Sequence, residues 1–544
     1  MRVKRTILAP LTVAAIALAT GGWFLQRGVG EERTIYATAQ LLQEVVDFVS
    51  HGFVDKHDEG DLYRMAIDGM LQGLGDPHTG FMPAAEYENL RIATEGEYGG
   101  LGISIAKRNG WVTVITPLPG TPGERAGLRA GDQIIEVNGE STKGWSDDQA
   151  VARLRGPRGS PVDIKVARVG ADEPIAFRIV RDEIHIKAVP TKYMVSPGIG
   201  YVEMNVFSES STDELRGAIQ ELRQQGAKGI VLDMRQNSGG LLDQGVSVSD
   251  LFLERGDMVV ETRSRVPSQN QRLNASKQDE FPGVPIVVLI GPGSASATEI
   301  VAGALQDHDR ALILGQTSYG KGSVQTLYRL PDNNWLKLTT ARWFTPSGRS
   351  IQGPYGIDHP VELGADGIDP DASVEDTTRE RPEYRTESGR TVLGGGGITP
   401  DLIVSHDTLS AAERALVEVL VQDHAATYAE ARFAFGVRYA EAHAELQPGF
   451  TVTPAMLDEF YQGLVEGGVR VDRTVYDGAQ RWVAAQIGDE VTVSKWGVAE
   501  VRKRSNTRDV QVNRAVGLLQ RASTPESLFE LAAAEAATLK TAGR

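Results

Sequence analysis

The chain has 544 residues, of which 41 % are hydrophobic and 24 % charged, with a net charge of −16 at pH 7 and no cysteine. That length accommodates two to four domains with a large core. The acidic balance argues against a nucleic-acid partner, because phosphate backbones attract Lys/Arg-rich faces. The lack of cysteine excludes disulfides, thiolate nucleophiles and cysteine zinc sites.

Arg2, Lys4 and Arg5 precede an apolar run over 7–25, broken only by Pro10 and Gly21-Gly22. A basic start followed by about 19 apolar residues reads as a signal peptide or an uncleaved signal anchor. Ala17-Leu18-Ala19 offers a cleavage site. Residues 1–30 are therefore expected to direct export and to supply any membrane contact. The expected location is the periplasm, or the outer side of the cytoplasmic membrane if the segment stays anchored.

Residues 31–95 read as a helical segment. Ile35, Leu42, Val45, Val46 and Val49 share one face at helical spacing, and Leu62, Met65, Ala66, Met70 and Leu71 mark a second helix. The turn Gly75-Asp76-Pro77-His78 closes it. A histidine after Asp-Pro is more often a turn residue than a catalytic base.

Residues 96–170 change to short β segments at 101–106, 111–115, 133–137 and 162–168, with a helix over 147–154. The order of these elements, with Ala126-Gly127-Leu128, Gly131-Asp132, Ile134 and Val137-Asn138-Gly139, resembles a PDZ domain of the bacterial protease variety. By that resemblance Gly100, Leu101, Gly102 and Ile103 bind a peptide's C-terminal carboxylate through backbone N–H groups, and the peptide adds as a strand to the sheet edge.

Residues 171–405 alternate strand and helix: strands at 199–206, 229–234, 284–290 and 311–314, and helices at 213–225, 241–253 and 298–306. Strands at 324–330, 335–344 and 402–404 follow. Such alternation predicts an α/β domain with a mixed, largely parallel sheet. Within it, 357–383 carries nine acidic residues with little apolar periodicity and reads as a solvated insertion; it lacks an EF-hand pattern. Gly394-Gly395-Gly396-Gly397 is not followed by a helix and makes a poor phosphate loop. Residues 406–544 read as a helical region with no chemistry of its own; it offers self-association or an adaptor contact.

The chemistry gathers at Gly293-Ser294-Ala295-Ser296-Ala297-Thr298-Glu299 and Tyr319-Gly320-Lys321-Gly322-Ser323-Val324-Gln325. The first lies between a buried strand and a helix, where a small-residue turn exposes a hydroxyl at a positive helix N-terminus. Ser296 is the candidate nucleophile and Lys321 its base. Lysine has an ordinary pKa of about 10.4 and becomes a base near neutrality only when burial removes water from its ammonium. Lys321, Ser323 and Gln325 are spaced by two, so on an extended chain they share a face, and Gln325 can hold the amine without keeping it charged. For the oxyanion site, Asp233-Met234-Arg235-Gln236-Asn237-Ser238-Gly239-Gly240 leaves a strand at its C-terminal end. Gly239 or Gly240, together with the N–H of Ala297, would supply the donors.

These motifs, with Gly75-Asp76-Pro77-His78-Thr79, Leu338-Thr339-Thr340-Ala341-Arg342 and 345–353, resemble the carboxyl-terminal processing (tail-specific) proteases over about residues 35–404. The resemblance implies an α/β protease core with an inserted β-rich PDZ domain, an N-terminal helical segment and a C-terminal helical region. It implies Ser296 as nucleophile, Lys321 as general base, Gln325 orienting the lysine, and no cofactor or metal. It implies a serine endopeptidase acting on unfolded or tail-bearing proteins near their C-termini, the PDZ domain capturing the tail. Arg155, after the PDZ helix, would couple a bound carboxylate to the core. Thr298 stands where many relatives carry serine. The competing expectations are Ser294 as nucleophile, His308 as a histidine base, and a non-catalytic PDZ scaffold or tail-binding chaperone.

Overall fold

The computed structural model describes residues 36–353 and 381–542. The expected export segment and nearly all of the acidic insertion lie outside the described residues. The chain divides into two units, one formed by residues up to Pro83 with Leu327–Leu338, the other by Ala84–Thr326 with Thr339–Arg544.

The first unit holds a helix over 36–52 and the helix Glu59–Gln72, which Asp58 caps by accepting the Gly60 N–H. The short strand Gly80–Met82 pairs antiparallel with residues 335–337, Gly80 opposite Lys337. Before it, the Asp76 carboxylate accepts the His78 N–H at 3.1 Å and the Thr79 hydroxyl at 2.6 Å. His78 thus stands in an Asx turn.

The second unit is built on a six-stranded sheet in the order Thr191–Ser196, Ile199–Glu203, Gly229–Asp233, Ile286–Ile290, Leu312–Gly315, Leu402–Ile403. The first pairing is antiparallel and the other four are parallel. Ile286–Ile290 is buried at every residue, the unbroken apolar run that a strand covered on both faces requires. Side chains divide between the faces with period two. Ile230, Leu232, Ile286, Val288 and Ile290 face Leu215, Ile219, Val248, Ile300 and Val301, from the helices Ser211–Gln224, Leu242–Ser249 and Ala297–Asp307. Tyr201, Val231, Val287, Leu289, Leu312 and Leu314 face Val512, Leu518, Leu519 and Leu528, from Val510–Leu519 and Pro525–Ala542.

That second cover splits the expected C-terminal region. The helices between Ala411 and Trp496 close around a core of their own that includes Leu416, Phe435, Phe460, Tyr476 and Ile487, whereas the last two helices belong to the sheet.

The PDZ-like segment is an antiparallel sheet in the order Ile103–Arg108, Trp111–Pro117, Gln133–Val137, Pro161–Ala167, Ile175–Val180. It continues past residue 170 because Gly170, at φ 81°, turns the chain back into a further strand. The helix Asp147–Leu154 starts in a reciprocal cap, Ser146 with Gln149. The chain enters and leaves this segment through a two-stranded ribbon, Glu97–Gly100 against Asp182–His185.

Candidate active site

Ser296 stands where the strand Ile286–Ile290 gives way to the helix Ala297–Asp307. Its backbone sits at φ 56°, ψ −116°, a conformation that costs a non-glycine residue of the order of 1–3 kcal/mol and that persists where neighbours over-determine it. In the run from Ser294 to Asp307 every residue is buried except Ser296, which is half-buried. Ser294 is fully buried; its Oγ donates to the Met234 carbonyl at 2.8 Å and accepts the Gly291 N–H at 3.1 Å. It is a brace inside the turn, which removes it as an alternative nucleophile.

The residue that joins the two motifs is Glu299, one turn into the helix and fully buried. Its Oε2 accepts the N–H of Ser296 at 2.9 Å and of Lys321 at 2.8 Å. Its Oε1 accepts the Ser318 hydroxyl at 2.5 Å and the Gly320 N–H at 2.7 Å. Two nitrogens 2.9 and 2.8 Å from one oxygen lie no more than 5.7 Å apart, so the backbones of Ser296 and Lys321 meet at this carboxylate. Burial pushes the Glu299 carboxyl up to about 7, against the opposing pull of Ser318 and the three backbone donors. The sequence reading passed over Glu299. Its signal was present: Ser296-Ala297-Thr298-Glu299 has the S-x-x-E spacing in which an N3 glutamate reaches back to the N-cap N–H.

Lys321 is half-buried at the end of a glycine-flanked loop. The Trp343 indole N–H donates to its carbonyl at 3.1 Å. The Gln325 amide donates to Ser323 Oγ at 2.9 Å and to Thr339 Oγ1 at 3.0 Å. The side chains of Ser323 and Gln325 thus meet, and the amide is fixed with Oε1 as its remaining acceptor.

The glycine loop lies against the nucleophile. A Cβ on Gly239 would stand 2.7 Å from the Ala295 carbonyl and 2.8 Å from Ser296 Cβ, and one on Gly240 would stand 2.2 Å from the Phe207 carbonyl. Both residues have positive φ, 100° and 149°. Only glycine lets this backbone approach so closely. Of the two glycines expected to face an oxyanion, Gly239 donates its N–H to Asn237 Oδ1 at 2.9 Å. Ala297, first in its helix, has an N–H that the helix itself does not satisfy.

His308 stands at the far end of the helix that Ser296 begins, 11 residues long, which is about 17 Å of axis. Its ring lies 2.8 Å from the Met258 carbonyl and 3.2 Å from Glu387. That placement removes it as the base.

In the PDZ-like segment, Gly100, Leu101 and Gly102 are buried and Ile103 is half-buried. Their loop is pinned by its carbonyls: Leu101 O accepts the Gly123 N–H at 2.7 Å, and Gly102 O accepts the Leu118 N–H at 2.8 Å. The following strand, Ile103–Arg108, is the edge of its sheet and pairs on one side alone. Arg155 lies with its guanidinium 4.7 Å from the Tyr98 ring centroid and donates to Asn89 Oδ1 at 3.2 Å. It sits in a cleft of about 870 Å³ between the helices Ala84–Glu95 and Asp147–Leu154.

The sequence model of peptidase family S41 matches residues 198–374, and that of the PDZ domain matches residues 89–167. The carboxy-terminal-processing protease of Bartonella bacilliformis is 42% identical over 369 residues, covering 67% of this chain and 81% of its own. The chain belongs to peptidase family S41. This S41 member is a serine peptidase carrying a PDZ domain. A protein of Staphylococcus aureus described as "Probable CtpA-like serine protease" is 30% identical over 70% of this chain and 73% of its own. Among solved structures, the photosystem II D1 C-terminal processing protease is 33% identical, with a TM-score of 0.34, over 57% of this chain and 89% of that one.

Proposed function

We propose that this S41 peptidase works through a Ser296–Lys321 dyad and cleaves exported proteins near their C-termini after its PDZ domain has captured the tail. The observation that carries the dyad is the single oxygen, Glu299 Oε2, on which the backbone N–H groups of Ser296 and Lys321 both rest. In this reading the neutral Lys321 amine takes the Ser296 hydroxyl proton as Oγ attacks a peptide carbonyl. The resulting oxyanion is held by the N–H groups of Gly240 and Ala297. The lysine then gives its proton to the departing amine; a water that the lysine deprotonates attacks the acyl carbon, and the lysine returns that proton to Ser296 Oγ as the acyl–oxygen bond breaks. Gln325 holds the lysine side chain in place.

The tail would add as a strand along the open edge of Ile103–Arg108, its carboxylate on the Gly100–Ile103 loop. Arg155, already bridging the PDZ helix to Asn89, would carry that event toward the core. Export rests on Arg2, Lys4, Arg5 and the apolar run after them.

The test is proteolysis of an unfolded reporter, with and without an apolar C-terminal tail, by the wild type, Ser296→Ala and Lys321→Ala. The proposal expects tail-stimulated cleavage by the wild type and loss of at least about 10³-fold in both variants. Cleavage that survives Lys321→Ala sinks the dyad, and cleavage indifferent to the tail sinks PDZ capture. Fractionation of the producing cells tests export.

A further inference from the structure

Arg235 belongs to the loop that carries Gly239 and Gly240, yet two of its partners come from the far end of the chain. Its Nε and Nη2 donate to the Asp233 carboxylate at 2.9 and 2.6 Å, which also accepts the Tyr201 hydroxyl at 2.7 Å. Its Nη1 donates to Asp509 Oδ2 at 2.7 Å and to Gln511 Oε1 at 2.8 Å. Arg235 and Gln511 are both buried. Asp509 is the N-cap of the helix Val510–Leu519, and its other oxygen accepts the N–H groups of Gln511 and Val512. One carboxylate thus starts a helix and holds a guanidinium. Gln511 in turn donates to the Val404 carbonyl at 2.6 Å.

The loop held this way is tied to the nucleophile turn. Ser294 Oγ donates to the Met234 carbonyl, and Ala295 N–H and Thr298 Oγ1 donate to the Asn237 carbonyl at 3.2 and 2.7 Å. A Cβ on Gly293 would stand 2.7 Å from the Arg235 carbonyl. A shift of Arg235 therefore presses on the turn that sets Ser296.

We propose that Asp509, supported by Gln511, is a positioning residue for catalysis: from the C-terminal helix it holds Arg235, and through Arg235 it holds Gly240 in place beside Ser296. This rests on the proteolytic reading above. Removing the carboxylate leaves a buried guanidinium with a nitrogen short of its charged acceptor, and the loop rearranges to find another.

The test uses the full chain as wild type, Asp509→Ala and Asp509→Asn. Reactive serine is titrated with a fluorophosphonate, and kcat and KM for the unfolded reporter are measured per reactive serine, with and without sodium formate. Expected for Asp509→Ala is a fall of about 10-fold or more in kcat with KM within about twofold, partly restored by formate, which places a small carboxylate beside Arg235. Asp509→Asn, which keeps shape and one acceptor, falls less. A kcat per reactive serine equal to wild type in Asp509→Ala, or a loss that formate leaves untouched, overturns the inference. Should Asp509→Ala not fold, Asp509→Asn decides alone, and an unchanged kcat in it overturns the inference. Absence of Ser296-dependent cleavage in the wild type is a failure of the proteolytic reading instead.

Discussion

Trp343 and Lys321 are joined by a hydrogen bond from the indole N–H to the lysine carbonyl, 3.1 Å long, while the lysine's own N–H rests on Glu299. The peptide units on either side of Lys321 are thus each held by a buried residue. Trp343→Phe keeps most of the ring and deletes the donor. We predict a several-fold lower kcat with little change in KM or in melting temperature. Trp343→Ala, by contrast, opens a core site and should cost about 3–5 kcal/mol of stability, measurable by denaturant unfolding.

Glu299 yields a pH prediction with a definite sign. Its folded pKa, about 7, lies above the ordinary glutamate value of 4.5, so the folded chain binds the proton more tightly than the unfolded chain does. The stability this supplies is full below pH 4.5 and is lost as pH rises through 7. Relative to Glu299→Gln, the wild type should lose on the order of 3 kcal/mol between those limits. Unfolding both proteins across that range checks it; a flat difference refutes the assignment. Glu299→Gln should also cut kcat about 10-fold or more at every pH, because its amide NH₂ faces donors.

Gly239→Ala places a methyl group 2.8 Å from Ser296 Cβ at a residue with φ 100°. Its expected effect is a loss of at least about 10²-fold in kcat/KM, with the PDZ segment still binding a tail peptide by calorimetry. Near-normal cleavage would show that the loop has slack at the nucleophile.

Ending the chain at residue 405 should abolish soluble protein. It strips Val512, Leu518, Leu519 and Leu528 from a face that includes Val231, Val287, Leu289, Leu312 and Leu314, leaving an apolar sheet surface of the kind that aggregates. The soluble fraction and its elution volume on gel filtration are the measurement.

Arg155→Ala removes both the Asn89 hydrogen bond and the stacking on Tyr98. The expected outcome is weaker stimulation of cleavage by a substrate tail, with tail-free cleavage and the melting temperature unchanged. Equal stimulation in the variant would leave Arg155 as a brace between two helices.

Five of the six strands of the central sheet were legible locally; the antiparallel edge strand Thr191–Ser196 was not. The run at 284–290 and the turn after it announced themselves through hydrophobic continuity and small residues, and the structure puts a strand at Ile286–Ile290 and Ser296 at the helix start. Periodicity also recovered the helix Asp147–Leu154 at its observed bounds. Strands such as Ile175–Val180 and Met258–Arg263 were missed because their side chains are part exposed, which blurs the pattern that a strand leaves in a sequence.

The sequence by itself determined the elements whose cause is local: the strand-turn-helix that exposes Ser296, the glycines that allow positive φ, and the motif order that marks the family. Tertiary structure alone decided that Glu299 gathers Ser296 and Lys321, that Asn237 occupies the Gly239 N–H, and that Asp509 reaches Arg235. The reason is physical. Periodicity and turn chemistry act over a few residues, whereas a buried carboxylate or guanidinium must be satisfied by whatever donors and acceptors the packed chain brings to it, however far away they lie in sequence.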